Sequence, residues 1–370
     1  METGVVVVGG GPAGLSVAAR LRGVDALVLE ASPRLGWPPH CTGIVSPAVA
    51  QGLTGLGLRG LASEEVLEAV YEEAVFLGPG AREACRLSGR PLAVKLARPG
   101  LEQLLASLAE ARGHRVAAKA VAEAVQLRGA RVAVTVRGAG VVEAHYAVLA
   151  QGRQRHTPRL PLPPGPCSSV PGVEERVVLT KRVPGEAFYT LHASRIAPGF
   201  FAWLAPVGDG REAVVGLATR APGLAARLQA FKRLLERAGI TGFSRVVSRR
   251  GGLVLRGPAA ARAVEGNMAW IGDTLCASKP YTGGGLYAVS VLAPLLAEAI
   301  ERGRLGAYGA AWRRLRLELL AQRAAADAAH AVGSLFLRLL AKACRAAEEG
   351  RCRIDYDRHT SLARCLLAGT

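Results

Sequence analysis

Aromatic side chains are scarce in this chain: 4 Trp, 7 Tyr and 7 Phe amount to 5% of 370 residues, and methionine occurs only twice. Half the residues are hydrophobic all the same, so alanine, leucine and valine must fill the interior. Acids are also few, 29 Asp+Glu against 47 Lys+Arg, nearly all of the cations being arginine, for a formal charge of +18. Such a surface attracts anions, whether lipid headgroups, nucleic acid or an acidic protein. The arginines are spread along the whole chain, with no basic block interleaved with aromatics, which argues against nucleic acid. Uninterrupted apolar spans are lacking as well. The uncharged stretch 3–19 has no basic lead-in and is broken by glycines, so it reads as fold rather than as a targeting signal. The uncharged stretch 280–297 carries three consecutive glycines and Pro294, a poor spanning helix and a good buried one. A cytoplasmic protein with peripheral contact to an anionic membrane is the expectation.

No Cys-x-x-Cys occurs among the seven cysteines. Cys344, Cys352, His359 and Cys365 can be written as a three-sulfur, one-nitrogen zinc set, but their gaps match no standard pattern, and no metal is expected. One or two disulfides among Cys344, Cys352 and Cys365, or buried thiols, fit better. Intracellular disulfides persist in hyperthermophiles, a setting the arginine-rich, methionine-poor composition suits.

What is present is concentrated at the start. Val5–Val8 reads as a buried strand, and Gly9-Gly10-Gly11-Pro12-Ala13-Gly14 follows it directly. A helix-period stretch runs from Leu15 to Arg22, and a second apolar run, Ala26 to Leu29, ends on Glu30, 21 positions after Gly9. Strand, glycine turn, helix, strand and acid stand in the order of a dinucleotide-binding βαβ unit. Gly9 permits the tight turn, Gly11 lets the backbone approach a pyrophosphate, and Gly14 lets helix and strand pack closely. Glu30 is spaced to accept hydrogen bonds from an adenosine ribose and would repel a 2′-phosphate. No second such fingerprint follows, so a resident nicotinamide site is not expected and electrons come from an external donor.

Farther along, Ser63–Glu73 is predicted helical, with Ser63 as its N-cap and acids in its first turn. Leu101, Leu104, Leu105 and Leu108 mark a helix over 101–111. Strands are predicted at 92–97, 120–127, 131–137 and 145–150, the last running into Gly152. The stretch 158–171 is dense in proline and glycine, a crossing between domains. Strands then dominate to Arg256, apart from a helix over 224–238. Met268–Ile271 enters Gly272-Asp273, and the Gly283–Gly285 turn opens a helix to about Arg302. The rest is helical: Val332, Leu335, Phe336, Leu339, Leu340 and Ala343 share an apolar face, opposite Arg338, Lys342 and Arg345. That pattern suits a membrane surface, and suits an ordinary packed helix better.

Gly9-x-Gly11-x-x-Gly14, Arg98 opening a helix and the late Gly272-Asp273 together resemble the FAD-binding layout of p-hydroxybenzoate-hydroxylase-like flavoproteins. Lys279-Pro280-Tyr281-Thr282-Gly283-Gly284-Gly285-Leu286 is similar to the Pro-x-[TS]-Gly-Gly-Gly-[IL] stretch of the geranylgeranyl reductase family. Phe201-Ala202-Trp203-Leu204-Ala205-Pro206, followed by Gly216, is similar to that family's substrate signature. The resemblance implies FAD as cofactor and reduction of isoprenoid double bonds, in archaeal members on membrane-lipid precursors. It gives Asp273 to a ribityl hydroxyl and Arg98 to the neighbourhood of the pyrophosphate. Ala31 and Arg34 after Glu30, Gly152, and the Cys41-Thr42-Gly43 loop on the flavin's substrate side complete the cofactor contacts. Cys41 is the candidate at the reacting face, with His40 as an alternative proton source. The backbone amides of Gly284 and Gly285 are candidates for stabilising the reduced ring, although three glycines also serve a close helix start. Phe201, Trp203, Pro206 and Tyr281 are the expected substrate contacts, though aromatics in a strand also serve as core. Ala205, Ala218 and Cys276 depart from the family pattern at positions expected to line the substrate channel.

The fold expected is α/β: a Rossmann-type FAD-binding domain over 1–157 and 258–302, a β-sheet substrate domain over 158–257, and a C-terminal helical segment over 303–370. The partners expected are a prenyl-lipid or other apolar substrate and an electron donor. A flavin monooxygenase and an electron-transfer flavoprotein are the rival readings, the second lacking the four-cysteine run of an iron–sulfur cluster.

Overall fold

Two eight-stranded sheets carry the chain, and the order of their strands explains where a ligand can enter. The computed structural model describes residues 2–39, 41–152, 160–331 and 334–368. His40, Val332 and the expected domain junction at 157/158 lie outside them.

In chain order the first half holds β1 (Glu2–Val8), α1 (Pro12–Ala18), β2 (Ala26–Leu29), β3 (Ile44–Val45) and α2 (Pro47–Thr54). β4 (Leu67–Leu77) and β5 (Glu83–Leu96) follow, then α3 (Arg98–Glu110), β6 (Arg115–Ala117), β7 (Ala122–Arg128), β8 (Arg131–Val136) and β9 (Gly140–Leu149). The second half begins with β10 (Ser168–Leu179), β11 (Ala187–Leu191), β12 (Ala202–Val207), β13 (Glu212–Ala218), α4 (Leu224–Arg237) and β14 (Phe243–Arg256). It ends with β15 (Val264–Glu265), β16 (Met268–Trp270), α5 (Leu286–Glu301), α6 (Leu305–Ala331), α7 (Ser334–Glu348) and α8 (Ser361–Ala368).

The first sheet is parallel at its centre, in the order β16-β9-β1-β2-β6, with β7 and β8 added as an antiparallel flap beside β9. Its central strands are apolar without alternation because both faces are covered. Val5, Val6 and Val7 are wholly buried, under helices that contribute Leu15, Leu105 and Leu292. The second sheet runs β14-β10-β13-β12-β11-β4-β5-β3 and is mostly antiparallel. Leu228, Phe231 and Leu235 of α4 pack on one of its faces.

Three expectations are corrected here. The second sheet takes β3, β4 and β5 from residues 44–96, so its boundary is not the one expected at 158. Residues 67–77 are strand, not helix: Val70, Tyr71, Val75 and Phe76 favour a pleated surface, and pairing with β5 and β11 on either side outweighs the local capping signal. The C-terminal helices are not a separate unit either. Tyr308 and Trp312 of α6 are fully buried in the first core, where Tyr308 donates to the Trp270 carbonyl at 2.6 Å and Trp312 to that of Ala260 at 3.2 Å.

Three disulfides tie distant segments: Cys85–Cys344, Cys167–Cys276 and Cys352–Cys365, separated by 259, 109 and 13 residues. Cys352 and Cys365 pair as one of the expected combinations. Cys344 instead joins α7 to β5 through Cys85, a long-range pairing that spacing does not reveal. The sulfurs of the zinc set are thereby engaged with one another or with Cys85. In α7, Leu340 and Ala343 are buried and Leu335 is exposed, so the helix packs by part of its apolar face.

If α6 belongs to the first core, Trp312→Ala removes both a large buried ring and a hydrogen bond. It should destabilise the whole chain by about 3–5 kcal/mol in urea unfolding, whereas a loss below about 1 kcal/mol would place α6 outside the cooperative unit.

Candidate active site

The turn after β1 is set by two close backbone approaches. Gly9 has φ +109°, and a Cβ there would collide with the carbonyl of Ala150 at the end of β9. A Cβ on Gly14 would collide with the carbonyl of Gly9, so α1 can lie against β1 only with glycine at that point. Gly11 differs: nothing stands within 4 Å of where its Cβ would be, because it faces a cavity. Glu30 is fixed beside it. One carboxylate oxygen accepts from the Gly10 N–H and the other from the Ser32 N–H, both at 2.7 Å. A cradle with no side chains, a helix start without a side-chain cap and an oriented carboxylate fit the adenosine and pyrophosphate of a dinucleotide.

The cavity measures about 1890 Å³ and runs from this turn to the C-terminal helices. Gly9, Gly11, Pro12, Ala13, Glu30, Ala31, Cys41, Thr42, Gly43, Arg98, Gly152, Gly272, Asp273, Gly283, Gly284, Gly285 and Leu286 all line it. Phe201, Trp203 and Tyr281 line it farther in. The structure therefore gathers into one space residues that lie up to 277 positions apart in sequence, Gly9 to Leu286. Gly14 packs behind the turn rather than in the wall. Arg34 is exposed, with its guanidinium stacked 4.7 Å from the Trp37 ring, because the loop after Glu30 turns it to solvent. Pro206 is buried in β12, where its carbonyl accepts from Tyr71 at 2.7 Å, and it does not reach the cavity. Ala205, Ala218 and Cys276 are fully buried and lie outside the lining, not on the channel wall where they are expected.

Charge is arranged tightly at the middle of the cavity. Arg98 pairs with Glu102 one turn along α3. Burial opposes the Arg98 charge, but Glu102, Cys41 and Asp273 outweigh it and hold the guanidinium above its ordinary range. Burial raises the Glu102 carboxyl, with nearby Glu30 adding and Arg98 opposing. Cys41 is the one cysteine outside the three disulfides, and its sulfur accepts from the Gly43 N–H at 3.4 Å. Thr42 donates to Glu174 at 2.6 Å, and Arg250 donates to the other oxygen of Glu174 at 2.6 Å, so the loop is pinned to β10 and β14. Arg256, wholly buried, donates to the Pro280 carbonyl at 2.8 Å and braces the turn before the three glycines.

Beyond that point the wall is aromatic. Nine of the chain's 18 aromatic residues line this single cavity, including Phe76, Phe188, Phe201, Trp203, Tyr281 and Phe336. His192, just after β11, stacks on Phe76, Phe201 and Tyr281 with centroids 5.4–5.8 Å apart. Its Nδ1 lies 2.8 Å from the Tyr281 hydroxyl. His359, considered in sequence only as a zinc ligand, meets the Tyr281 ring edge-on at 5.9 Å, and its Nδ1 is buried without a partner. Glu174 and His192 carry no local pattern that marks them; only pairing between distant strands brings them here.

Comparison with known proteins follows the same lines. Residues 2–214 match the family described as FAD binding domain. The chain is 31% identical over 341 residues to digeranylgeranylglycerophospholipid reductase 2 of Methanothermobacter thermautotrophicus, covering 85% of this chain and 84% of that one. A geranylgeranyl bacteriochlorophyll reductase-like protein of Thermoplasma acidophilum superposes with TM-score 0.79 at 19% identity, over 99% of this chain and 96% of that one. A p-nitrophenol 4-monooxygenase of Pseudomonas putida superposes with TM-score 0.74 at 18% identity, over 99% and 98%. The two structural likenesses are of fold.

His359 gives the site a pH signature. Burial, with the Lys279 charge adding, pushes its imidazole down to about 3 from an ordinary 6.5. The folded chain keeps His359 neutral where the unfolded chain takes up a proton, so stability falls as pH drops from 6.5 toward about 3 and is unaffected above. His359→Gln should flatten the slope of unfolding free energy against pH by one proton in that window; an unchanged slope would contradict the assignment.

Proposed function

The chain belongs to the geranylgeranyl reductase family of FAD-binding flavoproteins and is an FAD-dependent oxidoreductase; on that premise we propose that it saturates carbon–carbon double bonds of prenyl-lipid precursors. The observation that carries the reading is the continuity of one cavity from a glycine cradle to an aromatic wall. Ordinary small-molecule sites enclose roughly 300–1,000 Å³. About 1890 Å³ leaves room for a cofactor and a long apolar substrate together.

In this reading Gly9, Gly11, Pro12, Ala13 and Gly14 cradle the pyrophosphate of FAD, and Glu30 with Ala31 receives the adenosine ribose. Arg98 balances phosphate charge, and Asp273 holds a ribityl hydroxyl. Gly152, Thr42, Gly43 and Leu286 close around the ring system. When bound and reduced, FAD supplies the hydride equivalent that alkene saturation needs. The Gly284 and Gly285 amides at the start of α5 offer N–H groups and the positive end of a 16-residue helix to negative charge in the site. Cys41, beside Arg98 and exposed to the cavity, is placed to hold or deliver a proton at the reacting face. Phe201, Trp203 and Tyr281 exclude water and align the polyprenyl chain.

Contact with a bilayer is part of the proposal. Among the described residues no helix is long and apolar enough to cross a membrane. On the edge strand β14, however, Val246, Val247 and Leu253 are exposed next to Arg245 and Arg249, which suits an anionic surface. The electrons reach the site from an external donor, since the chain carries one dinucleotide fingerprint.

The test is direct. Protein loaded with FAD and reduced by dithionite should convert geranylgeranyl lipids to products heavier by two hydrogens per double bond, and Cys41→Ala should slow turnover about tenfold or more without losing the cofactor. Unchanged lipid mass would overturn the reading, and oxygen uptake with a hydroxylated product would replace it with a monooxygenase.

A further inference from the structure

Lys279 and Asp357 form a buried ion pair that the roles given above leave unused. The Lys279 ammonium donates to Asp357 at 3.0 Å, with the two side chains 7% and 9% exposed. Removing two charges from water generally costs more than their attraction returns, so a buried pair is weak support for stability. Its position points to another use. The Lys279 N–H donates to the Gly284 carbonyl at 3.2 Å, and the Gly283 N–H donates to the Lys279 carbonyl at 2.8 Å, closing the glycine turn back on the lysine. A methyl group on Gly284 would stand 3.0 Å from Lys279 Cε and 3.8 Å from Nζ. Lys279 also lines the cavity. A full positive charge therefore sits at the same turn whose glycines line the cavity.

Asp357 is delivered from far along the chain. It lies inside the loop closed by Cys352–Cys365, where the Asp355 carboxylate accepts from the Asp357 N–H at 2.8 Å and the Arg358 N–H at 3.1 Å. The Tyr356 ring lies 5.1 Å from the ammonium, and Tyr287 5.9 Å away on the other side. The lysine is held in place and its charge is partly balanced.

We propose that Lys279 and Asp357 are a charge couple that sets the reduction potential of the cofactor held against Gly283–Gly285, an inference that rests on the cofactor placement proposed above. Uptake of two electrons and one proton from an external reductant adds one negative charge to bound FAD. The ammonium favours that charge, and the carboxylate limits how far. Removing one partner or the other must therefore move the potential in opposite directions, which a merely structural pair would not do.

The full chain, loaded with FAD, is equilibrated with a redox dye of known potential, and the reduced fraction is read by absorbance. Lys279→Gln should lower the reduced-to-oxidised ratio about tenfold, a shift of about 30 mV for two electrons. Asp357→Asn should raise the ratio by a similar factor, and Lys279→Arg should keep it within about threefold of wild type. Ratios that stay within about threefold in both Lys279→Gln and Asp357→Asn, or that move the same way, overturn the proposal. Where Lys279→Gln fails to hold FAD, the direction of the Asp357→Asn shift decides. A wild-type chain that never binds FAD overturns the cofactor placement itself, whereas bound FAD with unmoved ratios overturns only the charge couple.

Discussion

Three stretches of backbone meet closely at Gly9, Gly14 and Ala150, the first two without side chains, and the rest of the site depends on that contact. It fixes α1 against β1 and β9, points the start of the helix at the cavity and leaves Gly11 facing open space. Glu30 is aligned by the same turn, through its bond from the Gly10 N–H. The Gly272 loop is fitted to the same place, since a Cβ there would stand 2.8 Å from the Cβ of Ala13.

The second sheet supplies what the first lacks. Its strands carry Phe76, Phe188 and Trp203, with Phe201 just before β12, and the Thr42–Glu174 bond links β10, next to its edge, to the loop that carries Cys41. A chain poor in aromatic residues spends half of them on one wall, where large rings hold shape and exclude water better than alanine or valine. The C-terminal helices close the far side. Cys85–Cys344 and Arg256–Asp327 fasten them to sheet and turn, and Lys279–Asp357 brings the final loop to the glycine turn. A polar half and an apolar half thus share one enclosure, as the proposed hydride transfer to a hydrocarbon requires.

Local pattern carried the first half of this well. The glycine spacing, the valine run and the distance to Glu30 each have a cause within about thirty residues, so the geometry of this turn is legible in the sequence. Asp273, Arg98 and the Gly283–Gly285 turn were legible through family resemblance, and all line the cavity. Partnerships between distant segments were not legible. β4 looked helical because its acids and Ser63 mimic a cap, while its true partners, β5 and β11, lie elsewhere in the chain. Pro206 belonged to a substrate motif but faces the other side of β12, because successive residues in a strand alternate faces. Cys85–Cys344, His192 and Asp357 owe their places to tertiary contacts that no spacing encodes.

The central claim is that the turn at Gly9–Gly14 is a cradle for FAD, and Gly11 tests it most directly. Its backbone is extended, with φ −81°, and its Cβ position is free of neighbours, so the β-carbon introduced by Gly11→Val enters the empty fold without a collision. Titrating FAD into wild type and variant, with thermal unfolding of both in its absence, separates fold from binding. The account predicts equal unfolding temperatures, one FAD per wild-type chain and a loss of affinity of about a hundredfold or more in Gly11→Val. Equal FAD affinity in the two proteins would contradict it.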